Sequence, residues 1–423
     1  MRHTASAALV LGGSLTLAAL ITPVAAIAST STSTSCTNPF GVAAGYTEFV
    51  AGDSQRTADA EGAVAVGGNA DFTHGFSLGA KLTAAQAAAL PGGAALVVGG
   101  TLQLGGANVE VEHGNAVYGA LQGSGHLWMN GGGQATQGAA PIDFGQAFAA
   151  LRATSASLAA LPANGVAALG QDGGNTVLTL TGTAARLNVF TLSAQQLQGA
   201  HEIRIAVPAG SSTVVNVTGA AYDMNAGQTS AFFLKDPTTG GWQEEDYTEP
   251  DAALAGIRGG LLWNLPDATT VVKRDGTAWP GSLLAPNAAV HLGSGNQNGE
   301  VVAASLTSAG GAETHHFSYT GCVPPTSTTP GSPSHSPAPS PSHPGTPTPT
   351  PSHSAGTTTG GSTGGSTGGS TGGSSGGTTG GSLAHTGGGD DTTALLGAGA
   401  AVIALGAGTV AVTRRRKQGA TSR

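Results

Sequence analysis

The sequence predicts a mainly β protein: a β-solenoid or β-helix-like domain with one flanking α-helix, followed by a disordered stalk and a C-terminal transmembrane helix. Three observations predict it. Short apolar runs, most of them closed by glycine, recur between Cys36 and Cys322. One segment, 143–161, changes to a helical period, and at Pro324 the composition shifts abruptly to Pro, Ser, Thr and Gly.

The runs are AVAV at 63–66, LVV at 96–98, TLQL at 101–104, VEV at 109–111, TVLTL at 176–180, IRIAV at 203–207, STVVNV at 212–217, LLW at 261–263 and VVAASL at 301–306, and they read as strands. The glycine pairs Gly67-Gly68, Gly99-Gly100 and Gly105-Gly106 are expected to supply the positive φ angles of tight corners. Short strands, frequent corners and small interior residues fit a narrow coil better than a sandwich. No strict repeat length emerges, so the sandwich stays open.

Phe144, Phe148, Leu151, Leu158 and Leu161 fall at i, i+4, i+7, i+14 and i+17, with Asp143 at the start and Pro162 after the end. This is one apolar stripe of an amphipathic helix, expected to lie along the β body. The two cysteines, Cys36 and Cys322, bracket the whole region that can fold. In an exported chain that arrangement favours a disulfide over two free thiols, and closing so long a loop removes about 5–6 kcal/mol of unfolded-state entropy as an upper figure.

The two ends carry targeting signals. Arg2 and His3 precede an apolar run from Ala7 to Ile21 and the small-x-small sequence Ala26-Ile27-Ala28, which reads as a signal peptide over 1–28 cut between Ala28 and Ser29. Residues 29–323 form the β domain. From 324 to 382 there is no Asp, Glu, Lys or Arg, and 11 of the 22 prolines crowd into the first half of that segment. Such a composition buries too little apolar surface to offset the entropy of ordering. It reads as a stalk, stiffened and polyproline-like first, then a flexible Gly/Ser/Thr coil; thirty residues rising about 3.1 Å each span on the order of 90 Å.

Leu383-Ala384-His385-Thr386-Gly387 follows, then an apolar run over 392–413 and a basic tail over 414–423 that opens with Arg414-Arg415-Arg416-Lys417. About twenty apolar residues match the roughly 30 Å hydrocarbon core, and the cations mark the cytoplasmic side. Motif, span and basic stop in this order resemble a cell-wall sorting signal of the LAxTG type used by class E sortases. A plain membrane anchor is the alternative. The resemblance implies cleavage between Thr386 and Gly387, covalent transfer of Thr386 to peptidoglycan and only transient membrane insertion through 392–413. Six of the 15 basic and two of the 23 acidic residues lie outside 29–386, leaving 9 against 21 and a formal charge of −12. Nucleic acid is not an expected partner of so acidic a product.

Within the β domain, NPF at 38–40, EGAVAVGGNADF at 61–72, LVVGGTLQLGGANV at 96–109, GNAVYGAL at 114–121, VVNVTG at 214–219, LLWNLPDAT at 261–269, GSLLAPNAAV at 281–290, NGEVVAASL at 298–306 and GAETHHFSYTGC at 311–322 resemble the choice-of-anchor A domain of bacterial surface proteins. The likeness covers nearly all of 36–322. It implies an adhesive, β-helix-like module with a flanking helix, displayed at the cell surface against an unidentified ligand, and it brings no catalytic residues.

The residues themselves offer a thin catalytic set. Glu313, His315 and His316 form one loose group and Asp143, Glu110, Glu112 and His113 another. Neighbours on a strand point to opposite faces, so His315 and His316 are not expected to converge on a metal. Gly-Ser-Gly at 123–125 and 293–295 read as corners, and Gln171-Asp172-Gly173-Gly174-Asn175 resembles a calcium loop that lacks its remaining acids. There is no G-x-S-x-G, H-E-x-x-H or P-loop. The expectation is a non-enzymatic contact domain without cofactor, catalytic or metal residues. The alternatives are a β-helix carbohydrate-active enzyme and an ice-binding-like surface protein, the latter disfavoured because threonine is dense in the stalk and not at fixed strand positions.

Overall fold

The computed structural model describes residues 36–246, 252–308 and 310–325. The signal segment with Ala28 and Ser29, the stalk beyond 325, the motif Leu383–Gly387, the span 392–413 and the basic tail lie outside the described residues. Among the described residues no helix is long and apolar enough to cross a membrane.

The described chain is a β-solenoid with three faces. On the first face ten parallel strands stack in the order Leu187–Ser193, Ser212–Thr218, Leu261–Asn264, Ser282–Leu292, Val301–Ser308, Tyr46–Val50, Ala63–Val66, Ala94–Gly105, Asn115–Gly123 and Ala135–Gln137. Every strand anticipated from the sequence is present, but the stack is not in chain order. The chain starts in the middle, climbs to one end at Ala135–Gln137, returns to the other end and climbs back, so that its last turn lies on its first, with Glu48 opposite Val301 and Val50 opposite Ala303. The second face repeats this order around Ser54–Gln55 and Ala70–Asp71, and the third around Ala58–Ala60, Phe76–Leu78 and Val109–Val111. Where the returning chain arrives, a five-stranded sheet of Val166–Asp172, Asn175–Thr181, Glu202–Ala206, Ala231–Lys235 and Trp242–Glu244 continues the body, antiparallel only at its two edges.

The predicted helix is Phe144–Ala159, and it carries the chain back. Asp143 is its N-cap, its side chain accepting from the Gln146 N–H at 2.9 Å. Sixteen residues rise about 24 Å, equal to five strand-to-strand steps of about 4.8 Å. The ends fit that length. Phe144 sits over the corner at Gly67, and the Leu158 carbonyl near the far end accepts from Asn216, five layers away. Between them Phe148, Leu151 and Leu158 are buried and Phe49 stacks on both Phe144 and Phe148 at 5.4 and 5.5 Å, each large side chain contributing roughly 1.5–3 kcal/mol. The apolar stripe also contains buried Ser155. Its hydroxyl and carbonyl bond Asn264, which bonds Asn216 in turn at 2.8 Å.

Two expectations about packing are corrected. Gly67-Gly68 and Gly99-Gly100 do not take positive φ; of the three pairs only Gly105 does, at 56°. They stack on one another at one corner, where a Cβ on Gly67 would lie 2.3 Å from the Ala51 carbonyl oxygen and one on Gly99 2.3 Å from that of Gly67. Close backbone approach between turns, and not turn geometry, excludes a side chain there. The interior is also not uniformly small. Val64, Leu96 and Ala116 line one half, whereas Trp263, Trp279, Tyr222 and Phe232 fill the other with ring centroids 5.7–6.0 Å apart.

The seam between first and last turns closes a sequence separation of more than 250 residues. Cys36 and Cys322 are disulfide-bonded with Cα atoms 5.1 Å apart, as expected. Thr37 and Val323 exchange backbone hydrogen bonds beside them. Inside the coil Arg56 pairs with Glu48 and donates to the Ala312 carbonyl, while Thr314 donates to Glu48 at 2.8 Å.

Candidate functional site

The residues singled out from the sequence do not assemble into one site. His315 is buried, its Nδ1 2.7 Å from Asn298 Oδ1 and its Nε2 3.4 Å from Glu313 Oε2. Asn298 also donates to Glu245, which pairs with Arg258, whose guanidinium lies 4.4 Å from the Phe317 ring. This network ties the helix Ala252–Gly259 to the last turn. His316 turns the other way, to Thr47 at 3.3 Å and Gln86 at 3.2 Å, while its N–H donates to Glu61. Burial lowers the pKa of both imidazoles. The two histidines therefore diverge, as strand geometry requires.

Glu313 stands on the third face in register with Asp59. Burial first, and the Glu313 charge second, push Asp59 up to about 6. The other group divides as well. Asp143 caps the helix, Glu110 and Glu112 both accept from Asn130, and His113 bonds the Gly79 carbonyl. Gln171–Asn175 is a hairpin turn with Gly173 and Gly174 at φ 57° and 92°, and Asp172 pairs with Arg204 at 2.7 Å. The Gly-Ser-Gly corners hold positive φ at Gly123 and Gly295. Among the described residues no three His, Cys, Asp or Glu side chains are placed to hold a metal ion. A shallow depression of about 270 Å³ is lined by Thr181, Val207, Lys235 and Asp236, with only the last two charged.

The second face has a different character. It forms a single register over eight layers: Asp223, Val272, His291, Thr307, Gln55, Asp71, Gln103 and Gln122 stand in one outward column. Inward neighbours such as Val271, Val290, Leu306, Ala70 and Leu102 are buried and hold the column in place. Seven steps of about 4.8 Å give a span of about 34 Å. Beside it runs a column of short side chains, Ala221, Thr270, Ala289 and Ser305 in one half and Thr101 and Ala120 in the other. Between the halves Asp53 accepts from the Asn69 N–H at 2.8 Å and Asn69 from the Thr101 N–H at 2.9 Å. On the face itself the His291 ring meets Thr307 at 3.0 Å. The result is a continuous strip in which amide, hydroxyl, imidazole and carboxylate groups stand among Val272 and three alanines, with no Lys or Arg in either column. It offers hydrogen bonds at strand spacing along a line instead of converging on a pocket.

The sequence contained a faint signal for this strip. Thr101 and Gln103 alternate with buried Leu102 and Leu104, a period-2 pattern that marks them as outward. Their neighbours in the strip come from separate turns, two of them in the two-residue strands Ser54–Gln55 and Ala70–Asp71.

The family model described as "Putative Ice-binding-like adhesive domain" matches residues 39–316. Among solved structures, the chain is similar to an ice-binding protein from the Antarctic ascomycete Antarctomyces psychrotrophicus, at 17% identity over 52% of this chain and 91% of that one, with a TM-score of 0.26. It is also similar to an ice-binding protein from an Antarctic biological consortium, at 12% identity over 67% of this chain and 93% of that one, TM-score 0.29. A third is from an Antarctic bacterium of the Flavobacteriaceae, at 16% identity over 62% of each chain, TM-score 0.25. No curated protein matches the chain.

Proposed function

The chain belongs to the family of ice-binding-like adhesive domains, and from that membership we propose that it is a cell-surface adhesin that works by contact and not by catalysis. The observation that carries the reading is the second face, a single register eight layers long in which seven of the eight outward residues carry hydrogen-bonding side chains. A surface of this kind suits an extended, hydroxyl- or amide-rich target, a glycan or a protein, because many weak bonds at regular spacing act together.

The order of segments in the sequence supports display on the cell wall. Residues 1–28 direct export, the stalk 324–382 gives reach, and a class E-type sortase joins Thr386 to peptidoglycan after the span 392–413 has held the chain in the membrane. The choice-of-anchor A resemblance agrees with this arrangement.

The family description keeps an ice-binding reading in view. Against it, threonine stands on the strip only at Thr101, Thr270 and Thr307, interleaved with Asp, Gln, His and Val. The test is a glycan and protein array screened with the domain and with a variant carrying Gln103→Trp and Thr307→Trp, which keeps the core and roughens the strip. Adhesion predicts a ligand whose binding the variant loses without a change in melting temperature. Inhibition of ice growth by the parent domain would replace adhesion with ice binding, and turnover of a polysaccharide abolished by Glu313→Gln would overturn the non-enzymatic reading.

A further inference from the structure

Val166–Asp172 is a seven-residue edge strand with no partner strand on its outer side among the described residues. It pairs on one side with Asn175–Thr181, and all seven of its residues are exposed, Val166 by 64% and Leu169 by 53%. Natural edge strands are protected by lysine, proline, bulges or brevity. The sequence VAALGQD contains no Lys, Arg or Pro, and its register runs from 166 to 172 without a shift.

The register fixes which backbone groups face outward. The two-residue turn Gly173-Gly174 makes Asp172 and Asn175 the closing hydrogen-bonded pair, and bonded pairs alternate from there. Val166, Ala168 and Gly170 therefore direct their N–H and C=O groups toward the partner strand. Ala167, Leu169 and Gln171 present theirs at the free edge.

We propose that a second copy of this chain occupies that edge, antiparallel, across a two-fold axis through Leu169. In that register Leu169 meets Leu169 of the second copy and Ala167 meets Gln171, each pair exchanging both backbone hydrogen bonds, so that the two five-stranded sheets become one. The pattern is self-complementary. It sets apolar on apolar at the axis, and the strand's single charge, Asp172, is already paired with Arg204 at 2.7 Å. The pairing uses no strand of the second face and does not depend on that face's ligand.

The core, the disulfide and the strand ladders close between Cys36 and Val323, so a chain of residues 29–334 contains them all and serves as the test protein. Sedimentation across a concentration series is expected to show a monomer–dimer equilibrium. Leu169→Lys, an exposed change that installs an edge-protecting charge, is expected to weaken the dimer by about tenfold or more, and Leu169→Thr to preserve it. In a hydrogen-bonded pair the Cβ atoms lie about 5.5 Å apart, too far for a relaxed disulfide, so Leu169→Cys should cross-link into a dimer with a bis-thiol reagent of about that reach, whereas Ala168→Cys, whose copies stand on a diagonal about 7–8 Å apart, should not. The cross-linking arm still decides the matter if Leu169→Lys lowers the melting temperature. A monomer at every concentration, an undiminished dimer in Leu169→Lys, or cross-linking at 168 and not at 169 would overturn the proposal. So would a dimer seen with 29–334 but not with 29–386, because a segment of the same chain would then cover the edge.

Discussion

Glu48 and Arg56 form an ion pair at 2.8 Å with both side chains wholly shielded from solvent, in the coil interior where the chain's first turn meets its last. Glu48 occupies the column that Val64 and Val301 continue on either side, the place of an apolar residue. Its charge is tolerated because Arg56 and Thr314 both donate to it, and Arg56 in turn reaches the carbonyls of Ala312 and Asp59. Arg56→Met leaves a buried carboxylate without its counter-charge and is expected to cost about 3–5 kcal/mol. Replacing both partners with leucine should recover much of that loss. Urea unfolding of the two variants measures the difference, and equal losses would show that the pair is not the source.

The same seam carries a pH dependence. Glu300 is buried and its pKa is pushed up to about 8, chiefly by desolvation, while its carboxylate accepts from the Gly45 N–H. A raised carboxyl pKa means that the native state holds a proton that the unfolded chain releases near 4.5. The group's contribution is therefore fully present below about pH 4.5 and is lost as pH rises through about 8, with a slope of at most about 1.4 kcal/mol per pH unit. Glu300→Gln is expected to flatten stability over that window. An unchanged slope between parent and variant would refute the assignment.

The polar fixings of the helix set a third expectation. Asn264 accepts from the Ser155 hydroxyl and donates to the Ser155 carbonyl and to Asn216 Oδ1, all beneath the helix. Asn264→Ala strands these groups in a buried site and is expected to cost about 2–4 kcal/mol. Ser157→Ala, on the exposed side of the same helix, should change stability by less than about 0.5 kcal/mol. Chemical denaturation of both variants makes the comparison.

Local patterns made the strands and the helix legible. Alternation in TLQL and the i, i+4, i+7 stripe from Phe144 are written within a few residues and survive in the fold. The order of the layers is not written that way. Any apolar strand can stack on any other in a parallel coil, and nothing near Glu48 indicates that Val301 lies beside it. Ser155, Asn216 and Asn264 were invisible for a related reason, since each reads alone as a polar residue out of pattern and is explained only by the other two. The second face was the least legible part. Its column draws on separate turns, so period-2 reasoning identifies single outward residues such as Gln103 but not their alignment with Asp71 and Gln55.

The disulfide was legible because only two cysteines exist. Its contribution should fall below the entropic upper figure, since Thr37, Val323 and the Glu48–Arg56 pair already hold the loop's ends together. Cys36→Ser with Cys322→Ser is expected to lower unfolding free energy by about 3–5 kcal/mol. Non-reducing peptide mapping should recover the 36–322 link from the parent, and quantitative alkylation of both thiols without reduction would contradict it.

The proposed attachment to the wall rests on the order of Leu383–Gly387, the apolar run 392–413 and the basic tail. If a sortase passes the Thr386 carbonyl to a wall amine, Thr386→Ala removes the residue that the enzyme must recognise and acylate, and the uncleaved tail keeps the chain in the membrane. The expected result is loss of the protein from muramidase-released wall fragments with a matching gain in the membrane fraction. Arg414–Lys417 changed to alanine should instead release the chain into the medium, because the cations that stop translocation are gone. Deleting 324–382 tests the stalk separately. Wall linkage and the domain's melting temperature should be unchanged, while adhesion of whole cells falls and binding by the isolated domain persists, since a spacer acts through reach and not affinity. Covalent recovery of Thr386→Ala on peptidoglycan fragments would remove the sortase from the account and leave a plain membrane anchor in its place.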